Sequence, residues 1–498
     1  MTVNSISYFF NPDSIAVIGA SREEDKPGHI ILKMLLDNKK KNILKSRIYP
    51  VNPKANELLG VKVYHSVKEI KDKIELAIIV VPAKYVPQVL TECGEKDVKA
   101  SIIISAGFSE IGNKELELEV LKIGREYGIR IIGPNCIGVL SPWSGVDTIF
   151  LPVYKILSDG TKLVSTPRPT PGYVALISQS GAFGTVAMDY MVGEGIGLSA
   201  FVSYGNKIDV DEADLLEYFM SDDKTHVIIM YLESIENGRK FIDIARKVSA
   251  IKPIIVLKAG RTRAGSRAAA SHTAAVAGLD AIYDAAFRRS GVVRVYDMEE
   301  LFDVAKALYM LPPVKGNRIA IVTDGGGAGV MATDMAEIIG LDVPQLKGET
   351  KEELDKLREI GKIPYFSSID NPIDLTGSAT TEMYIEALDV LLRSNEIDMI
   401  IVLALHQVPG IRDPIKLAEE IANKVREYNF IKPVLAVDTG YSEAAVLERE
   451  CFDKNNIPSY KIPERAIKAA KALYTYGSYL RKINRFNEYV SIFSSYNK

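Results

Sequence analysis

Residues 317–330 read NRIAIVTDGGGAGV, and the fold prediction rests on their pattern. The apolar run at residues 319–322 is typical of a buried strand, and the glycines after it predict a turn that leads into a helix. The same succession of strand, small-residue turn and helix occurs in residues 173–184, YVALISQSGAFG, and begins in residues 14–21, SIAVIGAS. These repeats predict parallel, doubly wound sheets with ligands at the carboxyl ends of their strands.

Outward from these stretches, short β-branched segments alternate with helical patterns, which predicts an α/β fold. At about 100–200 residues per domain, a chain of 498 residues is expected to form three domains. Prolines interrupt residues 141–172, which are predicted to be a linker or irregular loop. The predicted domains are 1–140, 173–312 and 317–475, followed by a helical tail at 476–498.

Composition excludes several classes of function. The net charge is −3, which does not indicate a nucleic-acid partner. Apolar runs stay below the roughly 18 residues of a membrane span, so no membrane association is predicted. Cys93, Cys136 and Cys451 are widely spaced, which fits a reducing cytoplasm better than a disulfide framework. No histidines or cysteines stand at metal-ligand spacing, so no metal site is predicted.

The first turn, Gly19-Ala20-Ser21, does not complete a dinucleotide fingerprint, because further glycines do not follow at the required spacing. Gly28 comes nine positions after Gly19, so the loop is longer. Its backbone N–H groups could still hold the phosphates of CoA or of a nucleotide. An ordinary strand-to-helix turn is the alternative.

The second turn, SQSG at residues 178–181, places hydroxyls and a glycine at the start of a helix. Ser180 and Gly181 are therefore predicted to bind phosphate through free N–H groups, a side-chain donor and the positive end of the helix dipole. A plain serine cap is the alternative.

The third turn has four glycines in residues 325–329. Because glycine costs backbone entropy, we expect either positive φ angles or close approach of a ligand. This predicts a second anion site, with a tight structural turn as the alternative. The following helix is predicted to present one apolar face made of Val330, Met331, Met335, Ile338 and Ile339.

His272 lies in residues 260–280, GRTRAGSRAAASHTAAVAGLD. Small residues leave room for a ligand, and Arg261, Arg263 and Arg267 favour phosphate. Imidazole is a competent nucleophile when one ring nitrogen is free and a partner holds the other. A structural histidine is the alternative.

A carboxylate could hold the second imidazole nitrogen. The segment VDEADLLEYF, residues 210–219, offers Glu212, Asp214 and Glu217, and the residues alone do not choose among them.

Four motifs together carry a family resemblance: ISQSGAFG at 177–184, SHTAAVAG at 271–278, TDGGGAG at 323–329 and NPIDLTG at 371–377. GPNCIG at 133–138 and YPVNP at 49–53 add support. With these motifs the chain resembles the alpha subunit of ADP-forming acetyl-CoA synthetase over about residues 5–475. That family is part of the NDP-forming acyl-CoA synthetase superfamily, which includes succinyl-CoA synthetase.

The resemblance implies an N-terminal Rossmann-like CoA-binding domain followed by two flavodoxin-like, succinyl-CoA synthetase-like domains. It also implies a reversible reaction of acyl-CoA, ADP and phosphate to a carboxylic acid, CoA and ATP. Phosphate would form an acyl phosphate, whose phosphoryl group would pass to a histidine and then to ADP.

By position in the family motifs, the phosphorylated histidine is His272, and Glu217 would orient it. Two helix N-termini would cradle the phosphoryl group. Their residues would be Ser180 and Gly181 in one domain, and Gly327, Ala328 and Gly329 in the other.

The resemblance places CoA on loops that follow successive strands of the first domain. The implied contacts are Gly19, Ser21, Lys26, Asn52, Lys54, Val81, Pro82, Ala83, Ser105, Ala106, Gly107, Asn135 and Cys136.

Single-chain members of the superfamily carry an additional ATP-grasp domain, for which three domains leave no room in this sequence. A separate ATP-grasp beta subunit is therefore expected to hold most of the ADP, ATP and Mg²⁺, in an α₂β₂ assembly. The other ligands would be phosphate and a small carboxylic acid or its acyl-CoA.

Two readings compete with the enzyme subunit. One is a non-catalytic CoA-binding regulatory protein, which the presence of His272, Glu217 and both phosphate loops opposes. The other is the CoA-binding region of a protein acyltransferase, whose acetyltransferase domain does not fit into the tail after Ile462. The stretch 154–170 is longer than the family's usual connection, and the sequence gives it no role.

Overall fold

The computed structural model describes residues 5–267, 280–430 and 432–496. The chain divides into two compact units, Met1–Val295 and Tyr296–Lys498. The predicted α/β class is confirmed, because both units consist of mainly parallel sheets with connecting helices.

The first sheet of the first unit has five parallel strands. In chain order the elements are β1 (Ser14–Ile18), α1 (Pro27–Lys40), β2 (Arg47–Val51), the small hairpin β3 (Glu57–Leu58) and β4 (Val61–Lys62), β5 (Leu76–Ile79), α2 (Val86–Glu95), β6 (Ala100–Ile103), α3 (Lys114–Tyr127) and β7 (Arg130–Ile132). The strand order is β2-β1-β5-β6-β7.

The second sheet of this unit has seven strands in the order β16-β15-β14-β12-β13-β8-β9. Its strands are β8 (Gly138–Ser141), β9 (Val146–Asp147), β12 (Pro171–Ser178), β13 (Leu198–Ser203), β14 (Val227–Leu232), β15 (Ile254–Lys258) and β16 (Val293–Val295). Its helices are α4 (Gly181–Gly193), α5 (Glu212–Ser221), α6 (Gly238–Ser249) and α7 (Asp280–Ser290). β8 pairs antiparallel with both β13 and β9, and the other strand pairs of this sheet are parallel.

The segment 141–172, predicted to be a linker or irregular loop, contains regular structure. It includes β9 and a separate hairpin of β10 (Tyr154–Ile156) and β11 (Lys162–Val164). The apolar core of this unit is also continuous from the first sheet to the second, with Ile15, Val139 and Ala175 in one buried cluster.

The second unit contains five parallel strands in the order β18-β17-β19-β20-β21. They are β17 (Ile319–Thr323), β18 (Ile373–Asp374), β19 (Met399–Leu403), β20 (Val434–Val437) and β21 (Ser459–Tyr460). The helices are α8 (Met298–Met310), α9 (Gly326–Ile338), α10 (Gly348–Glu359), α11 (Thr381–Arg393), α12 (Pro414–Glu427), α13 (Glu443–Lys454), α14 (Pro463–Lys482) and α15 (Phe486–Tyr496). The predicted boundary between 475 and 476 therefore falls inside α14.

Among the described residues, no helix is both long enough and apolar enough to cross a lipid bilayer.

Candidate functional site

The parallel part of each sheet has the same topology. Counted in chain order, its strands lie in the order 2-1-3-4-5, which is the flavodoxin order. In such sheets ligands bind at the carboxyl ends of the first and third strands, where the direction of winding reverses. The three small-residue turns of the sequence follow β1, β12 and β17. All three therefore lie at switch points.

At the first switch point, glycines allow two loops to meet. Gly19 has φ +96, and a Cβ atom there would lie 2.4 Å from the Val80 oxygen. A Cβ atom on Gly28 would lie 2.1 Å from the Gly19 oxygen. The turn after β1 is thus held against both the loop after β5 and the start of α1, and a side chain at either glycine would separate them.

A cleft of about 480 Å³ opens beside this turn. It is lined by most of the predicted CoA contacts, namely Gly19, Ser21, Lys26, Asn52, Val81, Pro82, Ser105 and Ala106. The Asn52 side chain donates a hydrogen bond to the Ala20 oxygen at 2.6 Å and accepts one from the Lys54 N–H at 2.7 Å. Asn52 therefore fixes both the turn and the loop that carries Lys54.

Five predicted contacts do not line this cleft, namely Lys54, Ala83, Gly107, Asn135 and Cys136. Cys136 is buried, its thiol approaches the Ile103 oxygen at 3.4 Å, and burial raises the pKa of that thiol to about 12. Asn135 donates to the Asn206 side chain at 3.2 Å. Both residues follow β7, where their side chains pack against protein.

The second switch point is built around the start of α4. Ser180 caps this helix, and its hydroxyl accepts a hydrogen bond from the Phe183 N–H. The buried Gln179 side chain accepts hydrogen bonds from the N–H groups of Glu233 and Ser234, at 2.8 and 3.0 Å. These bonds join the turn after β12 to the residues that follow β14.

Two charged residues beside this turn, Glu233 and Lys207, were not selected from the sequence. Glu233 directly follows β14 and is only 8% exposed. The Lys207 ammonium contacts the Ser234 oxygen at 2.9 Å and the Glu212 carboxylate at 3.4 Å. Burial raises the pKa of Glu212, and the charge of Lys207 opposes that shift. The signal for Glu233 was its place directly after a buried, β-branched strand at the ligand-binding edge.

The three carboxylates left open by the sequence have different surroundings. Asp214 contacts Arg130 at 2.9 Å and Lys240 at 2.6 Å, while Glu212 faces Lys207. Glu217 is partly buried on α5. Because α5 begins at the carboxyl edge, Glu217 is displaced from that edge by about 7.5 Å relative to Glu212, at 1.5 Å per residue.

Residues 268–279, and with them the predicted His272, lie outside the described residues. Their flanks are described. The Ala259 N–H donates to the Leu232 oxygen at 2.9 Å, and the Tyr283 hydroxyl accepts from the Ile235 N–H at 3.4 Å. Both flanks therefore contact the chain on either side of Glu233. Arg261, Arg263 and Arg267 are exposed.

At the third switch point, glycines allow the turn to pack closely against neighbouring side chains. The N-cap Gly325 has φ −128, and the next glycines are already helical. A Cβ atom on Gly325 would lie 2.7 Å from the Leu405 side chain, and one on Gly326 would lie 2.8 Å from the Asp374 carboxylate. A Cβ atom on Gly327 would meet open space. The turn thus exposes the first N–H groups of α9, where helices bind anions.

The apolar face predicted for α9 is not the face that packs on the sheet. Val330, Met331 and Ile338 are exposed by 60%, 49% and 79%. The buried positions of the helix are Gly329, Ala332 and Ala336. A Cβ atom on Gly329 would lie only 3.0 Å from Thr323, which shows that α9 packs close to its sheet. Such close packing selects small residues for the inner face.

No group of three or more His, Cys, Asp or Glu side chains within residues 5–267, 280–430 and 432–496 could hold a metal ion.

Three family models match consecutive parts of the chain. They are described as a CoA binding domain over residues 13–142, a succinyl-CoA ligase like flavodoxin domain over 171–308 and a ligase-CoA domain over 319–479.

Individual relatives match nearly the whole chain. The alpha subunit of acetate–CoA ligase [ADP-forming] I from Pyrococcus furiosus is 44% identical, over 96% of this chain and 99% of that protein. The 4-hydroxybutyrate–CoA ligase [ADP-forming] of Nitrosopumilus maritimus is 34% identical, over 96% of this chain but 66% of that longer protein.

A solved structure agrees with these matches. It is the dinucleotide forming acetyl-coenzyme A synthetase 1 of Ca. Korarchaeum cryptofilum in complex with phosphate and ADP. It superposes with a TM-score of 0.85 at 40% identity, over 96% of this chain and 98% of that chain.

Proposed function

The chain belongs to the family of ADP-forming acetate–CoA ligases as an alpha subunit, and from this premise we propose that His272 carries the phosphoryl group in its reaction. The enzyme is an acid–thiol ligase. It interconverts acyl-CoA, ADP and phosphate with a carboxylic acid, CoA and ATP. Relatives of this chain are named for different acids, acetate and 4-hydroxybutyrate. We therefore assign the class of reaction but not the carboxylic acid that the enzyme uses.

One structural observation supports the proposed role of His272. Both flanks of its segment contact the end of β14 next to Glu233, and Gln179 joins Glu233 to the Ser180 turn. The described chain on either side of the segment therefore reaches the edge where a helix N-terminus and a buried carboxylate already meet. These are the groups that a phosphorylated imidazole needs.

In the proposed sequence, a phosphate oxygen attacks the acyl carbon of acyl-CoA, the C–S bond breaks, and CoA leaves as its thiol. A nitrogen of His272 then attacks phosphorus, and the carboxylate leaves. The phosphoryl group finally passes from nitrogen to the terminal phosphate oxygen of ADP.

Protein groups would stabilise the charge along this sequence. The first N–H groups of α4, at Ser180 and Gly181, stabilise the phosphoryl oxygens. Glu233 accepts a hydrogen bond from the second imidazole nitrogen, a role that its burial and position favour over Glu217. Gly327, Ala328 and Gly329 at the start of α9 form a second anion-binding helix N-terminus.

CoA fits the cleft of the first sheet. The cleft lies at a switch point, Lys26 lies on its border to meet phosphate, and the glycine turn brings backbone N–H groups close to a ligand. The proposed contacts are the predicted residues that line the cleft, together with Lys54, Ala83 and Gly107 on the same loops.

The alpha-subunit family implies a beta-subunit partner. We propose that this partner is an ATP-grasp protein that binds ADP and Mg²⁺ in an α₂β₂ assembly. The single-chain 4-hydroxybutyrate relative supports this, because a third of its length lies outside the match. The three cysteines are free and buried, which fits the proposed cytoplasmic location.

Phosphorylation tests the proposal directly. The chain and its beta subunit are incubated with radiolabelled ATP and Mg²⁺, and the label is tested for stability in acid and base. We expect an acid-labile, base-stable label that His272→Ala abolishes. His65→Ala is the control, because His65 is half exposed on the surface of the first sheet's domain. Label that survives His272→Ala contradicts the proposal, and a wild type without label favours a non-catalytic CoA-binding protein.

A matched pair of variants identifies the carboxylate that orients the histidine. Glu233→Gln keeps the shape of the side chain but removes its charge, and should slow phosphorylation by about 10²-fold or more. Glu217→Gln should leave the rate unchanged. The opposite result would assign the role to Glu217.

A further inference from the structure

Three side chains of the second unit form a hydrogen-bonded chain that the synthetase reaction does not use. The Ser442 hydroxyl lies 2.8 Å from Nε2 of His406. Nδ1 of His406 lies 2.8 and 3.0 Å from the two carboxylate oxygens of Asp438. The distances are those of a nucleophile, a base and the group that orients the base.

The sheet places these residues together. Asp438 directly follows β20, His406 lies in the loop after the neighbouring β19, and Ser442 is the N-cap of α13. All three therefore lie at the carboxyl edge, where open sheets bind ligands. Asp438 is fully buried, while Ser442 is exposed to solvent. The hydroxyl can thus meet a ligand while the carboxylate stays fixed.

The surrounding charges define which atoms donate. Burial, together with the negative charge of Asp438, raises the pKa of Glu448 far above its ordinary value. A carboxylate only accepts, so Nδ1–H of His406 donates to Asp438. Nε2 is then the acceptor, and the Ser442 O–H donates to it.

Helix capping explains only part of this arrangement. The Ser442 hydroxyl accepts from the Ala445 N–H at 3.2 Å, as an N-cap does. Ser66 caps its helical turn in the same way, with a carboxylate, Glu92, as its second partner. A cap requires neither an imidazole on the hydroxyl proton nor a buried carboxylate behind that imidazole.

We propose that Ser442, His406 and Asp438 form a second, hydrolytic site that cleaves small activated acyl groups, either thioesters or acyl phosphates. A serine activated in this way performs acyl transfer. The N–H groups in the first turn of α13 lie beside the hydroxyl and would stabilise the negative oxygen that forms during attack. This activity is separate from ATP synthesis and does not involve His272.

The reaction balances with water as the second substrate. Oγ of Ser442 bonds to the acyl carbon, and the bond to the leaving sulfur or phosphate oxygen breaks. The hydroxyl proton passes through Nε2 of His406 to the leaving group. Water then attacks the serine ester, gives a proton to Nε2, and releases the carboxylic acid as Oγ regains that proton.

The test uses the full chain with His272→Ala in phosphate-free buffer, so that phosphate cannot attack acetyl-CoA and the phosphohistidine route is absent. The result is then independent of the function proposed above. Acetyl-CoA and acetyl phosphate are supplied separately, and release of thiol or phosphate is followed. We expect hydrolysis of at least one of them, and the faster substrate identifies the acyl donor. Adding Ser442→Ala or His406→Asn should each lower the rate by about 10²-fold or more.

Ser66→Ala is the matched control, which removes a capping serine that has no histidine partner and should leave the rate unchanged. A fluorophosphonate probe gives a second measurement and should label Ser442 in the chain but not in Ser442→Ala. Thermal unfolding checks that each variant is folded. Absence of Ser442-dependent hydrolysis with both substrates, or labelling of a different serine, overturns the proposal.

Discussion

Asp324 illustrates how a residue that is plain in the sequence acquires its properties from a distant strand. It precedes the glycine turn of α9, is 3% exposed, and accepts a hydrogen bond from the Leu405 N–H after β19. Burial raises the pKa of its carboxyl to about 6, although the Leu405 hydrogen bond opposes the shift. The sequence shows the aspartate but not the burial of its side chain in the fold, which disfavours the charged form.

The raised pKa predicts how stability depends on pH. The folded state binds the proton of Asp324 more tightly than the unfolded state, so protonation of Asp324 stabilises the fold. This contribution is complete below the unfolded pKa near 3.8 and is lost as pH rises through about 6. Asp324→Asn has no charge to bury and keeps an oxygen for Leu405. Its free energy of unfolding should exceed that of the wild type by roughly 3 kcal/mol at pH 8 and by little at pH 4.

Denaturant unfolding at a series of pH values measures this difference. Asp334→Asn, on the exposed side of α9, is the control and should change stability by less than about 0.5 kcal/mol. A difference for Asp324→Asn that does not grow between pH 4 and 6 contradicts the assignment.

At the scale of elements, strands and turns could be predicted because their signals are local. The runs 15–18, 174–177 and 319–322 lie in β1, β12 and β17, and the turns after them are where the sequence places them. Neighbouring strands supply what the sequence did not show. Glu233 belongs to the site through β14, more than 50 residues from Ser180 in the chain. Cys136 follows β7 as expected but faces the core.

Helix faces were the least predictable feature. Periodicity placed the large apolar residues of α9 on one face, but it did not show that Gly329, Ala332 and Ala336 occupy the inner face. The distance between α9 and its sheet decides which side chains fit on the inner face. The periodicity of apolar residues in the sequence does not reveal that distance.

The inner face of α9 makes a stability prediction. Ala332 is fully buried, so Ala332→Leu should overpack the helix against its sheet and cost about 1–3 kcal/mol. Ile338 is 79% exposed, so Ile338→Ser should change stability by less than about 0.5 kcal/mol. Thermal unfolding of the two variants distinguishes the faces. A larger loss for Ile338→Ser than for Ala332→Leu would contradict this assignment of the inner face.

For the whole molecule, the sequence predicted three domains, whereas contacts within the chain group the first two sheets into one unit. Phe10, from the segment before β1, stacks on Tyr218 of α5 with ring centroids 5.1 Å apart. Arg130 of β7 bonds to Asp209 and Asp214, which precede and begin α5. The three domain boundaries stay a prediction, but a cut between the first two sheets would divide a common core.

Fragments of the chain test this organisation. Residues 1–295 contain the whole cleft proposed for CoA and its core, so this fragment should fold and bind CoA with the affinity of the full chain. Residues 1–141 lack the partners of Phe10 and Arg130, and each large apolar side chain left unburied costs about 1.5–3 kcal/mol. This shorter fragment should be unfolded or aggregated. Circular dichroism and calorimetric titration with CoA measure both fragments. If 1–141 melts cooperatively and binds CoA as 1–295 does, the first sheet is an independent domain, because its own core then suffices without the second sheet.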